Sequence, residues 1–118
     1  MSFELVNFEK GLRGNKIEVK IYRDKKAFRI GRKLFEELNW GKKERVDLFF
    51  DKETGTFKME KSKAGLITIS DNEKYIGINS MNLCIEILYR AHNKFDYDGW
   101  AEDGVLYFRP KEKSSNNF

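Results

Sequence analysis

The stretch GLITISDNEKYIGINS, residues 65–80, alternates apolar and polar residues on both sides of a short polar segment and then ends on a serine. This alternation predicts a β-hairpin, and serine is a favoured residue at the start of a helix. An earlier stretch, IEVKIYRDKKAFRIGR at residues 17–32, has the same arrangement. Because 118 residues suffice for one hydrophobic core and not for two, the repeated segments are expected to share a core.

Each of these hairpins opens a unit with the order β-β-α-β-β. The first unit, residues 17–61, continues with a helix over RKLFEELNW and a hairpin that turns at KETG. The second unit, residues 65–110, continues with a helix over SMNLCIEILYRAH and a hairpin that turns at AEDG. Residues 1–16 form an N-terminal extension and residues 111–118 a polar tail, so the prediction is a single α+β domain that is mainly β.

The two units keep a nearly constant spacing. Matching positions before the helices are 48 residues apart, as in Ile30 and Ile78, and those after the helices are 49 apart, as in Val46 and Phe95. One residue inserted in the second helix explains the change. Chance rarely maintains one spacing across two hairpins, so the spacing predicts an internal duplication. Two such units can pack about a pseudo-two-fold axis, which predicts a closed β-barrel with two helices at its ends.

The stretch FRIGRKLFEELNWGKKERVDLFFDKETGTFKMEK, residues 28–61, resembles the AbrB/SpoVT-type swapped-hairpin proteins. Their pattern is a short strand, a proline, a helix with regularly spaced leucines that ends at a glycine, and a second hairpin. Leu34 and Leu38 match the leucines, whereas Gly31 replaces the proline and Asn39 the glycine. Asparagine tolerates the left-handed conformation that ends such a helix. The resemblance implies a swapped-hairpin barrel made by one chain as a pseudo-dimer, and DNA binding through basic residues on one face.

Charge is divided unequally between the units. Residues 17–61 hold thirteen Lys and Arg against nine Asp and Glu, a net +4, while residues 65–110 hold four against seven, a net −3. The basic residues of the first unit concentrate on its first hairpin and on the start of its helix, and six of them form a predicted phosphate-contacting patch. They are Arg23, Lys25, Lys26, Arg29, Arg32 and Lys33. Alternation along the strand points Arg29 outward, so Arg29 is the expected contact to a base edge.

Two interpretations of this basic hairpin remain open. A Lys-rich hairpin also serves solubility and protects a sheet edge, without any ligand. In the second unit Asp71 and Glu73 stand where Arg23 and Lys25 stand in the first, so a symmetric DNA-binding face is not supported. A single basic half would bind weakly, and the leading hypothesis is therefore a non-enzymatic, AbrB-like transcriptional regulator that binds DNA with weak or moderate specificity as a homodimer.

The acidic and aromatic segment KFDYDGWAEDG, residues 94–104, suggests a second kind of site. Tyr97 and Trp100 are the predicted partner-binding residues, because large aromatic side chains often anchor protein interfaces. The alternative is that Trp100 only fixes its hairpin to the barrel. The competing function is accordingly a protein-binding adaptor or inhibitor, for example a small phage-encoded protein that interacts with host or defence factors, with no nucleic-acid role.

The sequence gives no support for an enzyme, a cofactor or a metal. The single histidine, His92, has no recognisable catalytic partner, and the single cysteine, Cys84, lies among apolar helix residues and excludes an internal disulfide. The longest apolar run is far shorter than the roughly 20 residues of a membrane helix, and the N-terminus MSFELVNFEKG has no signal-peptide pattern. The expectation is a cytoplasmic protein that binds no membrane.

Overall fold

A computed structural model describes residues 3–6, 20–21, 26–72, 74–94 and 96–111. The chain is α+β and mainly β, and from its second strand onward the elements follow the predicted order. The strands are β1 (Glu4–Leu5), β2 (Lys20–Ile21), β3 (Lys26–Arg29), β4 (Lys43–Asp51), β5 (Thr56–Lys61), β6 (Ile67–Asp71), β7 (Ile76–Asn79), β8 (Tyr97–Glu102) and β9 (Val105–Pro110). The helices are α1 (Arg32–Leu38) and α2 (Met81–Arg90).

The strands form an antiparallel sheet that curls into a half-barrel, in the order β2-β3-β7-β6-β4-β5-β9-β8. The short strand β1 pairs with Phe49 and Phe50 of β4. Because β5 pairs along one edge of β4, β1 lies on the other edge, which β6 occupies nearer the start of β4. Three pairings, β3–β7, β4–β6 and β5–β9, join residues 17–61 to residues 65–110. The two predicted units therefore share one sheet.

The predicted closed barrel is not complete in the part of the chain that the structure describes. The path through the sheet begins at β2 and ends at β8, and the described residues of these two strands are not paired with each other. The observed architecture is thus a curled half-barrel, and its closure stays a prediction.

The core is built by side chains from both units. Phe57 of β5 stacks on Phe108 of β9, with ring centroids 4.9 Å apart and planes 7° apart. Phe28 of β3 meets Phe108 edge-on at 5.4 Å. All three rings are fully buried, and each contributes about 1.5–3 kcal/mol relative to exposure. Residues of both predicted units thus pack in one hydrophobic cluster.

The ends of the helices follow from local sequence. Asn39 has a φ of 56° and ends α1 in the left-handed conformation, as predicted. Ser80 precedes α2, and its side-chain oxygen accepts the backbone N–H of Leu83 at 3.0 Å, which satisfies one of the unpaired donors of the first turn. Both helices lay apolar residues on the sheet, including Phe35 and Leu38 from α1.

Trp40 lies outside α1, although the sequence pattern predicts that the helix includes it. The left-handed Asn39 redirects the chain, so the indole of Trp40 is buried and meets Phe35 edge-on with ring centroids 6.4 Å apart. Its N–H donates to the carbonyl oxygen of Gly104 at 2.8 Å. Trp40 therefore ties the first unit to the last turn of the second.

The second hairpin of the second unit differs from the predicted copy of the first. β8 continues through Glu102, so the turn contains only Asp103 and Gly104, whereas the first unit turns over residues 52–55. Asp103 and Gly104 have φ of 51° and 77°, and an Asp-Gly pair tolerates the positive φ that a two-residue hairpin turn requires at both positions. The expectation of equal turn lengths is wrong for this reason.

The shorter turn also changes which residues correspond. Val46 faces Lys61 in the first hairpin, and Tyr97 faces Pro110, the equivalent of Lys61, in the second. By its position in the hairpin, Val46 therefore matches Tyr97. The constant spacing predicts Phe95 in this place, and that prediction is wrong. The backbone closure of a tight turn decided this register, and an apolar pattern alone does not contain it.

We expect Gly77→Ala to lower the free energy of unfolding by about 3 kcal/mol or more, at the upper end of single substitutions. Gly77 has a φ of 147°, and a Cβ there would lie 2.0 Å from the carbonyl oxygen of Phe28 on β3. Urea unfolding measures the change. Gly31→Ala is the matched control, because a Cβ at Gly31 meets nothing within 4 Å, and it should cost less than about 1 kcal/mol. Equal losses in the two variants would contradict this prediction.

Candidate functional site

The predicted phosphate-contacting patch is described only in part. Arg23 and Lys25 lie outside the described residues, and Lys26 is placed by its backbone alone, at the start of β3. Arg29 holds its guanidinium carbon 3.8 Å from the ring centroid of Tyr75, and Lys33 is exposed on α1. The structure therefore places Arg29 on the outer face, as predicted, with an aromatic side chain of the second unit against it.

Arg32 is engaged by the second unit. Its guanidinium lies 3.1 Å from a carboxylate oxygen of Asp71, with side chains 54 % and 22 % exposed. An exposed pair of this kind contributes about 0–1 kcal/mol, so a phosphate can compete with Asp71 for Arg32 at small cost. Asp71 stands in the second unit where Arg23 stands in the first. In the fold it pairs with Arg32, another cation of the predicted patch.

A second group of cations, which the sequence analysis missed, surrounds a groove where β4 begins and β5 ends. The groove encloses about 570 Å³ and is lined by Lys43, Glu44, Arg45, Lys61, Ser62 and Lys63. We call the four cations Lys43, Arg45, Lys61 and Lys63 the basic groove. The signal was present in the segments KKER at 42–45 and KSK at 61–63, but only the pairing of β4 with β5 brings them together.

Backbone contacts hold the basic groove in shape. The N–H of Ser62 donates to the carbonyl oxygen of Arg45 at 2.9 Å, and Arg45 donates through Nε to the carbonyl oxygen of Gly65 at 3.0 Å. The carboxylate of Glu44 accepts the N–H of Gly41 at 2.9 Å. The lining thus presents four positive charges, and its one carboxylate is already hydrogen-bonded to the neighbouring backbone.

Strand register connects the predicted patch to the basic groove. Lys43 of β4 faces Ser70 of β6, Ser70 faces Gly77 of β7, and Gly77 faces Arg29 of β3. Residues directly opposite in a sheet point to the same face, so Arg29 and Lys43 lie on one outer row, three strand spacings or roughly 14 Å apart. Gly77 and Ser70 leave the space between them without a large side chain.

Tyr97 and Trp100, the predicted partner-binding residues, point to opposite faces of β8. Tyr97 packs its ring against Phe57 and Phe108, with centroids 6.4 and 5.8 Å apart, and its hydroxyl donates to the carbonyl oxygen of Lys94 at 2.8 Å. Burial raises the pKa of Tyr97 well above its usual range, and the nearby Cys84 raises it further. Tyr97 therefore contributes to the core.

Trp100 lies on the outer face, within a row of side chains that runs across four strands. Phe49 of β4 faces Lys58 of β5, Lys58 faces Tyr107 of β9, and Tyr107 faces Trp100. We call these four residues the aromatic row. The rings of Trp100 and Tyr107 are nearly parallel, 10° apart, with centroids separated by 5.7 Å. The indole N–H of Trp100 donates to the carboxylate of Glu102 at 3.0 Å.

The aromatic row has charges of both signs beside it, whereas cations predominate in the lining of the basic groove. Burial raises the pKa of Tyr107, and the carboxylates of Glu102, Glu60 and Asp103 raise it further. Lys58 lies between these groups, 3.8 Å from a carboxylate oxygen of Glu60. Lys58 lies 5.1 Å from the ring centroid of Phe49, and Arg109 lies 5.6 Å from that of Trp100. Cations of the chain itself therefore contact these ring faces, and the surface combines aromatic side chains with mixed charge.

Other candidate chemistry is limited in the described residues. No three His, Cys, Asp or Glu side chains in those ranges lie together as metal ligands, and no helix there is long and apolar enough to cross a membrane. Cys84 is buried in α2, and His92 is exposed just beyond that helix with a φ of 54°. These positions add no catalytic arrangement to the two surfaces.

Tyr97 should make stability decrease at alkaline pH. Because its pKa in the folded chain is raised above the ordinary value of 10.0, the unfolded chain releases the phenol proton first. The contribution of Tyr97 to the free energy of unfolding is full below about pH 10 and decreases above it, by up to about 1.4 kcal/mol per pH unit. Tyr97→Phe should remove this component in urea unfolding at alkaline pH. Tyr89→Phe, at a ring that is 79 % exposed, is the control; an unchanged alkaline slope in Tyr97→Phe would contradict the assignment.

None of the family models, curated proteins or solved structures with which the chain was compared matches it. The described residues offer two surfaces with distinct chemistry: a basic groove joined by one strand row to Arg29, and an aromatic row bordered by carboxylates.

Proposed function

We propose that this protein is a non-enzymatic DNA-binding protein that acts in transcriptional regulation as a homodimer. The observation that carries the proposal is the basic groove, whose lining includes Lys43, Arg45, Lys61 and Lys63 beside the single carboxylate of Glu44. Lys and Arg side chains in such a cluster contact DNA phosphates and release counterions, which supplies most of the affinity of weakly specific binding.

Arg29 extends the same surface. It shares an outer row with Lys43, and its guanidinium lies against the ring of Tyr75. Arginine is the side chain that most often contacts a base edge in the major groove. Arg32 and Lys33 on α1 and Lys26 on β3 complete the described part of the proposed contact surface, and Arg23 and Lys25 belong to the same hypothesis from the sequence. Contacts to DNA phosphates would position the protein on the duplex, and Arg29 would supply its base selectivity.

We also propose that the chain is an internal duplication of the AbrB/SpoVT swapped-hairpin type. Support comes from the register of the strands that join the two units. Arg29 faces Gly77, and Lys58 faces Tyr107. The first pair is 48 residues apart and the second 49, which are the spacings that the sequence comparison found. Residues equivalent in the two units would thus meet each other, as they do on a two-fold axis.

The pairs beside these centres support the same symmetry. Phe57 faces Phe108, which is the equivalent of Met59 in the second unit. A two-fold axis would then pair Met59 with Leu106, the equivalent of Phe57, and these two residues do face each other. A two-fold of this kind would also relate the β4–β6 pairing to a pairing of β8 with β2, the two ends of the observed strand path. Closure of the half-barrel by those strands belongs to the proposal.

The proposed DNA contact should depend steeply on salt. If four cations of the surface contact phosphates, the logarithm of the affinity should fall by about 3.6 for each tenfold increase in salt, at roughly 0.9 per contact. Fluorescence anisotropy with a labelled mixed-sequence duplex measures this slope. Lys43→Glu/Lys61→Glu should weaken binding and reduce the slope by about 1.8, and Lys25→Glu/Lys26→Glu tests the hairpin in the same assay.

Lys52→Glu is the matched control for that experiment. Lys52 is exposed beyond the opposite end of β4, roughly 30 Å from Lys43 along the strand, and it carries the same charge change. Absence of binding at low salt, or equal weakening by Lys52→Glu, would rule out the basic groove as a DNA site.

A second candidate function, a protein-binding adaptor or inhibitor, is favoured by the aromatic row. Trp100 and Tyr107 form a flat outer surface beside a groove of about 340 Å³, and Glu102 and Arg109 supply polar groups at its border. A half-buried tryptophan beside a tyrosine and an arginine is a composition typical of interface hot spots. This function requires no nucleic acid and uses a part of the outer surface that shares no residue with the basic groove.

Capture from nuclease-treated lysate distinguishes the two functions. If the aromatic row binds a protein, the wild-type chain should retain a defined partner without nucleic acid, and Trp100→Ala should lose it by tenfold or more, about 1.4 kcal/mol. Leu66→Ala is the control, because Leu66 is 48 % exposed and belongs to neither surface. A partner captured equally by Trp100→Ala would exclude the aromatic row as its binding site.

A further inference from the structure

Two grooves meet beside the turn that joins β4 to β5. One encloses about 340 Å³, and its lining includes the rings of Trp100 and Tyr107 from the aromatic row. The other encloses about 460 Å³ and is lined mainly by charged residues at the ends of β8 and β9. Thr54 and Arg109 line both grooves. An aromatic surface therefore passes directly into a charged one.

Cations predominate in the second groove, which we call the cationic groove. Lys94, Arg109 and Lys111 line it together with one carboxylate, that of Asp98, which faces Arg109 across the pairing of β8 with β9. The three cations are exposed, and none of them belongs to an ion pair in the described part of the chain. Unpaired Lys and Arg side chains bind phosphates through charge-assisted hydrogen bonds. The cationic groove is therefore suited to a phosphate.

Strand register places the aromatic rings between these cations and a carboxylate. Trp100 faces Tyr107, Arg109 lies two residues beyond Tyr107, and Glu102 lies two residues beyond Trp100 in the opposite direction. Side chains two residues apart on a strand point to the same face, about 7 Å from each other. The guanidinium carbon of Arg109 is 5.6 Å from the ring centroid of Trp100, and Glu102 accepts the indole N–H at 3.0 Å. A ligand lying on the rings thus has cations at one end and a carboxylate at the other.

A nucleotide has matching groups in the same order. Its phosphate is attracted to Lys and Arg, and its base stacks on aromatic rings. The exocyclic amino group of cytosine, at the edge of the base, donates to carboxylates such as that of Glu102. Bases inside a duplex are covered by their neighbours, so aromatic rings on a protein surface reach the bases of a single strand.

We propose that the aromatic row and the cationic groove together bind single-stranded nucleic acid. Bases stack on Trp100 and Tyr107, and phosphates lie along the cationic groove. Glu102 accepts the amino group of a stacked cytosine and disfavours thymine, which presents a carbonyl oxygen at that position. All of these contacts use the base and the phosphate, which DNA and RNA share.

This site is independent of the proposed contact with duplex DNA. The cationic groove lies beyond the end of β4, roughly 30 Å along that strand from Lys43, and neither groove of the new site shares a residue with the basic groove. Failure of single-strand binding would leave the duplex proposal unchanged, and the reverse also holds. The inference gives a nucleic-acid ligand to the surface that the second candidate function gives to a protein.

Fluorescence anisotropy of the full chain with a labelled oligo(dC) of about eight nucleotides tests the proposal. Trp100→Ala should raise the Kd by about tenfold or more. Lys94→Glu/Lys111→Glu should weaken binding and reduce its dependence on the logarithm of the salt concentration by about 1.4, at roughly 0.7 per phosphate contact of a single strand. Lys42→Glu/Lys74→Glu is the matched control. It makes the same charge change at exposed lysines that line neither groove, so the Kd should stay within about threefold of the wild type.

Base preference gives a second readout, which loss of folding would not mimic. The wild type should bind oligo(dC) about fivefold more tightly than oligo(dT), and oligo(rC) within about threefold of oligo(dC). Glu102→Gln should reduce the preference for oligo(dC) to about twofold or less, because the amide also donates to the carbonyl oxygen of thymine. A uniform loss of folded protein would weaken both oligomers equally.

Three results would overturn the proposal: no binding of either oligomer at low salt, wild-type affinity in Trp100→Ala, or equal weakening by Lys42→Glu/Lys74→Glu and Lys94→Glu/Lys111→Glu. If single strands do not bind while Trp100→Ala loses a protein captured from nuclease-treated lysate, the aromatic row belongs to the second candidate function.

Discussion

The packing of Phe57 on Phe108 is the interaction on which the rest of the structure depends. One ring comes from each unit, the two are stacked 4.9 Å apart, and Phe28 closes on Phe108 from the opposite hairpin. Neither unit can exclude water from these rings alone, since each supplies only part of the surrounding side chains. Folding of either half is therefore coupled to the other through the β3–β7 and β5–β9 pairings.

Because the core occupies the inner side of the curled sheet, every second residue of each strand is free to serve the outer side. On β3, β7, β6 and β4 that outer row holds Arg29, Gly77, Ser70 and Lys43, and on β4, β5, β9 and β8 it holds the aromatic row. One sheet thus presents a basic surface and an aromatic surface bordered by carboxylates. The difference in charge between the units, visible in the sequence, becomes a difference between surfaces of a single body.

The two units differ in the length of the second hairpin turn and in the length of the helix. The second hairpin turns over two residues in place of four, which sets Trp100 opposite Tyr107. The second helix has ten residues in place of seven and carries the exposed apolar residues Met81, Ile85 and Tyr89, whereas α1 ends at Asn39 and passes into the buried Trp40. Changes of turn and helix length leave the shared core intact because its contacts lie on the strands.

Alternating residues and turn signals in the sequence were sufficient to determine the order of the elements, the left-handed end of α1 at Asn39 and the Ser80 cap of α2, because each depends on neighbours within a few residues. The mainly β class and the single core also followed from length and periodicity. The sequence reading missed the basic groove, since residues 42–45 and 61–63 become adjacent only when β4 pairs with β5. It also grouped Tyr97 and Trp100 in one site, although residues three apart on a strand point to opposite faces. The register set by the Asp103–Gly104 turn decides that Tyr97 is the one that faces the core. Contacts between residues distant in the chain decide such sites, and those contacts are set by the pairing of strands and the closure of turns, which no local pattern contains.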